Sequence, residues 1–216
     1  MEDHLDPEEI RHAKITAMGE ELGVLHFELG CELGYLHSVW NEYQELYVNS
    51  SAAVQVLNLA APRHFFYAQK MFYDGILLHL CRLTDPVTIG ENNNTTVQRI
   101  PALIHDKEFQ KKIKALVDQA VLSTEFAREQ RQRPNAHQYY FFALNEQARP
   151  LTMAGIAGIV DAMIALVHCL NEVEYLFQGS TTTYDVPDAP GDARSLLHIL
   201  EKGLQRRDLL KEEHGL

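Results

Sequence analysis

The sequence predicts an all-α protein, and two observations carry this prediction. Apolar residues recur at spacings of three, four or seven along nearly the whole chain, which is the period of one helix face. Strict alternation of apolar and polar residues between hairpin turns, which is typical of β-strands, is nowhere convincing. The 216 residues are 46% hydrophobic with only 12 glycines and 8 prolines, enough to bury one core. We therefore predict an antiparallel helical bundle with four to five core helices.

The first helical pattern begins at Asp6, which is placed to cap a helix whose first residue is Pro7. Four glycines interrupt this pattern, and each costs a helix about 1 kcal/mol relative to alanine. We expect either a kink near Gly19 to Gly23 or the close approach of a neighbouring helix. The apolar face of this pattern consists of Leu22, Leu25, Leu29, Leu36, Trp40, Tyr43 and Tyr47.

A second pattern, from Pro62 to Leu83, is apolar nearly all round and predicts a central buried helix. It ends before Asp85 and Pro86, because proline disfavours helical geometry in the residue before it. The following stretch, VTIGENNNTT, is predicted to be a polar loop.

A third helix is predicted to begin after Asp106, with a lysine-rich exposed face. The chain is expected to break between Arg131 and Pro134, since proline removes a helical hydrogen bond and clashes with the preceding turn. Its apolar stripe consists of Phe109, Ile113, Leu116, Val117, Ala120 and Val121.

The last long helix is predicted to begin after Thr152 and to stop at Gly179. The stretch GSTTTYDVPDAPGD reads as a linker, and Ala193 to Leu204 as a short amphipathic helix. We therefore predict a bundle over residues 1–178 and an appendage, residues 179–216, that packs on or near it.

Charge is distributed unevenly along the chain. The formal net charge is −11 and the pI is near 5.4, which argues against attraction of the whole surface to nucleic acid or an anionic membrane. Residues 61–150, in contrast, carry 12 basic and 9 acidic side chains. A polyanion would therefore have to bind locally, in the middle third.

The cysteines and the chain termini predict a cytoplasmic protein. Cys31, Cys81 and Cys169 are an odd number without metal-binding or redox spacing, and each lies in an apolar run. The beginning of the chain is acidic, unlike a signal peptide. The most apolar stretch, Ala154 to Val167, is short and contains Asp161, so we expect no membrane partner.

Most common catalytic and cofactor-binding motifs do not occur. The sequence has no glycine-rich phosphate loop, no GxSxG nucleophile turn and no HExxH motif. No set of histidine, cysteine and carboxylate residues has the spacing of metal ligands. We therefore predict neither a metal nor another cofactor.

One group of residues suggests chemistry. Arginine grips phosphate with a planar donor fork, histidine exchanges protons near neutrality, and aromatic rings stack on the bases of single-stranded RNA. These residue types could form a phosphodiester site, or they could form an ordinary solvent-exposed basic turn. The group consists of Arg128, Arg131, Arg133, Asn135 and His137, followed by Tyr139, Tyr140, Phe141 and Phe142.

The stretch RQRPNAH, residues 131–137, resembles the motif of the HEPN superfamily, in which an arginine precedes a histidine by four to six residues. Further stretches resemble the abortive-infection-associated branch of that superfamily in bacteria, over about residues 20–205. They are Leu57 to Pro62, Phe65-Phe66, Ile76 to Leu78, Arg82 to Pro86, Ala136-His137, Asp192-Ala193 and Leu196 to Gly203.

The resemblance implies a HEPN-like fold and a metal-independent RNase, related to toxins or phage defence, whose motif lies at a homodimer interface. Arg131 would clamp the phosphate and His137 would act as acid and base. Arg133, Asn135, Arg128 and Tyr139 are the expected substrate-binding residues. A small antitoxin protein is the partner implied by some relatives.

Two positions depart from the HEPN pattern. Gln132 stands where relatives carry Asp or Asn, and Tyr139 stands where they carry Asp. The alternative function is therefore an inactive helical bundle that binds a protein partner or a nucleotide. Arg82 and Asp85 are assigned to structure.

A homodimer is also expected from the aromatic run Tyr139 to Phe142. One helix cannot direct four consecutive aromatic side chains to a single face, so some of them need another surface.

Overall fold

The computed structural model describes residues 6–132, 147–149, 151–184 and 191–214, and nearly all of them are helical. The predicted all-α class is confirmed. The helices are α1 (Pro7–Met18), α2 (Glu20–Tyr47), α3 (Ser51–Ala60), α4 (Pro62–Leu83), α5 (Ile100–Leu103), α6 (Lys107–Ser123), α7 (Glu125–Gln132), α8 (Met153–Gln178) and α9 (Ala193–His214).

Helix α1 begins and ends as the sequence predicts. The Asp6 carboxylate accepts a hydrogen bond from the backbone N–H of Glu8 at 3.0 Å, and Glu9 completes a capping box. Gly19 ends the helix with a φ of +83°, which only glycine adopts without strain. Both expectations for the glycines hold, because a Cβ on Gly23 would lie 2.6 Å from the Cα of Ile15.

Helix α3 and the outer face of α4 were not foreseen. The Ser50 hydroxyl caps α3 by accepting from the N–H groups of Ala52 and Ala53 at 3.2 and 3.4 Å. Helix α4 has the predicted bounds but is not buried all round, since Tyr67 and Met71 are 42% and 75% exposed.

The stretch predicted as a polar loop contains a small hairpin. Strand β1 (Thr88–Ile89) pairs antiparallel with β2 (Asn92–Asn93), with Thr88 opposite Asn93. Gly90 opens the two-residue turn with a φ of +62°, the glycine position of a type II′ turn. The pairing is too short to produce an alternating sequence pattern, so periodicity could not reveal it.

Helices α6 and α7 follow one another with a break at Thr124. The Asp106 carboxylate accepts from the N–H groups of Glu108 and Phe109 at 2.9 and 3.0 Å, which confirms the predicted cap. The break at Thr124 was not predicted. Helix α7 ends at Gln132, within the predicted interval before Pro134.

Helices α8 and α9 close the chain. Thr152 accepts from the N–H of Gly155 at 3.2 Å, and Gly179 follows α8 with a φ of +67°, both as predicted. Helix α9 reaches His214, so the predicted end at Leu204 is wrong. Residues 205–213 are exposed and lack an apolar stripe, but they include good helix formers such as Gln, Arg, Leu, Lys and Glu.

The described chain divides into two compact units, and each has its own buried side chains. The first comprises residues 6–37, 77–131 and 156–184. Its largest fully buried side chains include Leu29, Leu33, Leu36, Leu77, Leu80, Leu83, Ile100 and Ile113. The second comprises residues 38–76, 147–149, 151–155 and 191–214, and Tyr43, Tyr47, Leu57 and Ile76 are fully buried there.

Helix α8 has the length and composition of a membrane-crossing helix. Its most apolar 18-residue window has a mean hydropathy of 2.0, and 33% of that window is buried within the protein. Core helices of soluble proteins pass the same test. The absence of a membrane partner and the cytoplasmic location therefore stay predictions.

Candidate functional site

The predicted catalytic motif is only partly described. Arg131 is exposed in the last turn of α7, and Gln132 is the last residue of that helix. Arg133, Asn135, His137 and Tyr139, with the rest of the aromatic run to Phe142, lie outside the described residues.

Arg128, one turn before Arg131, is fixed by the protein's own polar groups. Its guanidinium donates to the Thr84 carbonyl at 2.7 Å and the Thr84 hydroxyl at 2.8 Å. It also donates to the Thr124 hydroxyl at 2.8 Å and the Cys81 carbonyl at 3.4 Å. Asp85 lies 3.6 Å from the same guanidinium, a structural role of the kind expected for it. The side chain proposed to bind substrate therefore joins α7 to the end of α4.

This network is buried at its centre. Thr84 and Thr124 are fully buried, and their hydroxyl oxygens are 2.7 Å apart. The Gln98 amide donates to the Thr84 carbonyl at 2.8 Å, and the Thr96 hydroxyl donates to the Leu83 carbonyl at 3.2 Å. The turn after α4 is thus held from both α7 and the segment after the hairpin. Because residues three apart share a helix face, this scaffold also sets where Arg131 starts.

A second polar cluster surrounds Glu32 on α2. Its carboxylate accepts a hydrogen bond from Nδ1 of His79 at 2.6 Å and lies 3.5 Å from Nη1 of Arg82. The ring of Tyr35 packs against His79, with 5.0 Å between ring centroids. His79 is partly buried, as expected, whereas the Arg82 side chain is 57% exposed. His168, expected to be core or partly buried, has a side chain that is 60% exposed.

A groove of about 180 Å³ lies beside Glu32. Carboxylates from Glu28 and Glu32, the Arg82 guanidinium and Thr95 line its polar sides, and Leu29 and Leu83 are its apolar residues. The Thr95 hydroxyl donates to Glu28 at 3.4 Å. This groove was missed at the sequence level, although Glu28 and Glu32 are spaced as neighbours on one helix face. Nothing in the sequence showed that Arg82 and Thr95 would face them.

A buried ion pair lies elsewhere in the first unit. Nζ of Lys14 is 2.5 Å from the Glu174 carboxylate, and both residues are under 8% exposed. Thr182 donates to the same carboxylate from its N–H at 3.1 Å and its hydroxyl at 3.0 Å. Burial raises the pKa of Glu174, but the hydrogen bonds from Lys14 and Thr182 outweigh it and leave the pKa lowered. The beginning of the predicted linker is thus attached to α8.

His26 lies close enough to feel this ion pair and is 1% exposed. Its Nε2 lies 3.0 Å from the Leu170 carbonyl and must carry the proton to donate there. Burial lowers the pKa of His26, outweighing the carbonyl contact, which raises it. His26 is therefore held as a neutral side chain.

Two side-chain amides hold residues 148 and 149 in the second unit. Asn58 donates to the Ala148 carbonyl at 3.1 Å and accepts from the Ala148 N–H at 2.9 Å. Gln69 accepts from the Arg149 N–H at 3.0 Å and donates to the Arg149 carbonyl. Each amide thus satisfies both backbone groups of one residue, as a neighbouring strand would.

Metal chemistry and relatedness add no further assignment. Within the described ranges, no group of three or more His, Cys, Asp or Glu side chains could hold a metal ion. None of the family models, curated proteins or solved structures with which the chain was compared matches it. Function therefore has to be argued from the residues themselves.

Proposed function

We propose that this protein is a metal-independent endoribonuclease in which Arg131 and His137 act on an RNA phosphodiester. The observation that carries the proposal is the five-residue gap in RQRPNAH, read with the position of Arg131. Arg131 is exposed at the end of a helix that Arg128 fixes to the end of α4. An arginine meant to meet a polyanion needs both this exposure and a rigid base.

The chemistry requires a base, an acid and stabilisation of negative charge. His137 would take the proton from the RNA 2′-hydroxyl as its oxygen attacks the adjacent phosphorus. The 5′-oxygen would leave with a proton, giving a 2′,3′-cyclic phosphate and a 5′-hydroxyl end. Arg131 would hold the charge that develops on the phosphoryl oxygens.

In this proposal the protein acts as a homodimer, whose second copy supplies another His137 to share acid and base work. Arg133, Asn135 and Tyr139 would contact the RNA. A toxin or phage-defence role, with an antitoxin protein as partner, belongs to the same proposal and rests on the resemblance alone.

The test compares wild type with His137→Ala and Arg131→Ala during expression, recording growth and total RNA. His12→Ala is the matched control, because His12 is an exposed histidine on α1. We expect wild type and His12→Ala to cut RNA with or without a chelator, and the other two variants to lose cleavage. Cleavage that survives in His137→Ala, or that a chelator abolishes, contradicts the proposal.

A second function, partner binding by an inactive bundle, is favoured by one feature of α8. Ile164 and Tyr175 are 61% and 58% exposed, and their spacing of eleven residues puts them on one helix face. Exposed apolar side chains that share a face are typical of protein interfaces. If wild type and His137→Ala behave alike, this function becomes the better one, and an Ile164→Asp variant should lose the bound partner.

A further inference from the structure

The groove beside Glu32 has one carboxylate whose hydrogen-bonding capacity is mostly free. Glu32 is committed to His79 at 2.6 Å and to Arg82 at 3.5 Å. Glu28 receives one long hydrogen bond, from the Thr95 hydroxyl at 3.4 Å. An ionised carboxylate has about four acceptor positions, so Glu28 offers strong acceptors to a ligand in the groove.

The charges of the groove select a neutral ligand. The Arg82 guanidinium, which lines one wall, repels a cation, and the carboxylates of Glu28 and Glu32 repel an anion. Acceptors and donors instead stand side by side, on Glu28 and Arg82. The matching ligand is neutral and carries adjacent donors and acceptors along one edge.

The size and the apolar residues of the groove select a small flat body. A volume of about 180 Å³ is well below the roughly 300–1,000 Å³ of pockets for drug-sized ligands, so it takes one ring system. Leu29 and Leu83, at 0% and 1% exposure, offer apolar contact to the face of such a ring.

We propose that this groove binds a guanine base of single-stranded RNA. Guanine places the N1–H and N2 amino donors next to the O6 acceptor, and N7 adds a second acceptor. Glu28 would accept from N1–H and N2, while Arg82 would donate to O6 or N7. Adenine and the pyrimidines lack the pair of adjacent donors. This inference rests on the proposed RNase function and names the base that the enzyme reads.

Nucleosides test base recognition without cleavage and without phosphate. Guanosine, inosine and adenosine are titrated into the full-length protein and followed by NMR or calorimetry. Inosine keeps N1–H, O6 and N7 but lacks the N2 amino group, so we expect it to bind about tenfold more weakly than guanosine, the effect of one hydrogen bond to a charged group. Adenosine should bind more weakly still. Equal binding of all three overturns the proposal.

A matched pair of variants on α2 assigns the effect to the groove. Glu28→Gln keeps the shape of the side chain and removes its charge, and should weaken guanosine binding about tenfold or more. Glu20→Gln changes an exposed glutamate of the same helix outside the groove and should bind as wild type does. Unchanged binding by a folded Glu28→Gln protein overturns the proposal. Methylguanidine that binds as tightly as guanosine also overturns it, because the groove would then be a cation site.

Two further arms separate this proposal from the RNase and RNA from free nucleotide. His137→Ala should bind guanosine as wild type does, so loss of cleavage and loss of binding are scored independently. A short RNA with a single guanine should bind more tightly than the same RNA with inosine at that place, and more tightly than guanosine 5′-monophosphate. If the monophosphate binds at least as tightly as the RNA, the groove serves free nucleotides and the assignment to RNA is wrong.

Discussion

The guanidinium of Arg128 on α7 reaches both the carbonyl and the hydroxyl of Thr84, the residue after α4, at 2.7 and 2.8 Å. The carbonyls at a helix end have no partner within the helix, and a cation there is favourable. One arginine thus completes the end of α4 and fixes the direction of α7. Arg131, on the next turn, has its backbone positioned by a contact that it does not make.

Replacing Arg128 should cost stability, because Thr84 and Thr124 would lose a charged donor inside the protein. We expect Arg128→Ala to lower the free energy of unfolding by about 2 kcal/mol or more, measured by urea denaturation. Arg131→Ala, an exposed arginine on the same helix, should stay within about 0.5 kcal/mol of wild type. Equal losses in the two variants would show that the Arg128 network contributes nothing particular.

Gly23 should tolerate no side chain, because a Cβ would lie 2.6 Å from the Cα of Ile15 and 2.7 Å from the Lys14 carbonyl oxygen. We expect Gly23→Ala to destabilise the protein by about 1–3 kcal/mol, since both contacts are with backbone. Gly203→Ala is the control, with open space around its Cβ. That variant should gain about 0.5–1 kcal/mol from helix propensity. Thermal unfolding of both proteins measures the difference.

Stability should depend on pH through His26, whose pKa is lowered from 6.5 by burial. Below pH 6.5 the unfolded chain takes up a proton that the folded protein excludes, so the free energy of unfolding falls as the pH falls toward the folded-state pKa. His26→Gln keeps a donor for the Leu170 carbonyl and does not titrate. Urea denaturation at pH 7 and pH 5 should show a smaller loss in His26→Gln than in wild type. An identical loss would contradict neutral burial of His26.

Asn58 should control local opening at Ala148, which is 3% exposed and bonded to the Asn58 amide through both backbone groups. In Asn58→Ala the Ala148 N–H loses this acceptor. Its hydrogen exchange should become at least tenfold faster, the effect of about 1.4 kcal/mol. Asn41→Ala, an exposed asparagine on α2, should leave that exchange rate unchanged.

Local signals explain which helix boundaries could be predicted. Asp6 and Asp106 precede their helices with a side chain that caps the first N–H groups, and Gly179 ends α8 in a conformation that favours glycine. Such signals are complete within four or five residues of sequence. The break at Thr124 carries no proline or glycine, because Thr124 is held by Thr84 and Arg128 from elsewhere in the chain.

The groove could not be predicted for the same physical reason. Glu32, His79 and Thr95 come from three separated parts of the sequence, and each has an ordinary role on its own. A sequence pattern assigns His79 to a partly buried position, which the structure confirms. It does not reveal that Glu32 lies 2.6 Å away. The basic motif near His137 is contiguous, and for that reason it was visible from the sequence.

The pairing of Lys14 with Glu174 constrains the order in which the newly made protein can mature. A lysine is buried at that depth only with its partner in place, because an uncompensated charge is costly inside a protein. During synthesis Lys14 leaves the ribosome 160 residues before Glu174 does, and Thr182 follows later still. Helix α1 therefore cannot take its final position co-translationally. It has to wait, solvated and undocked, until nearly the whole chain has been made.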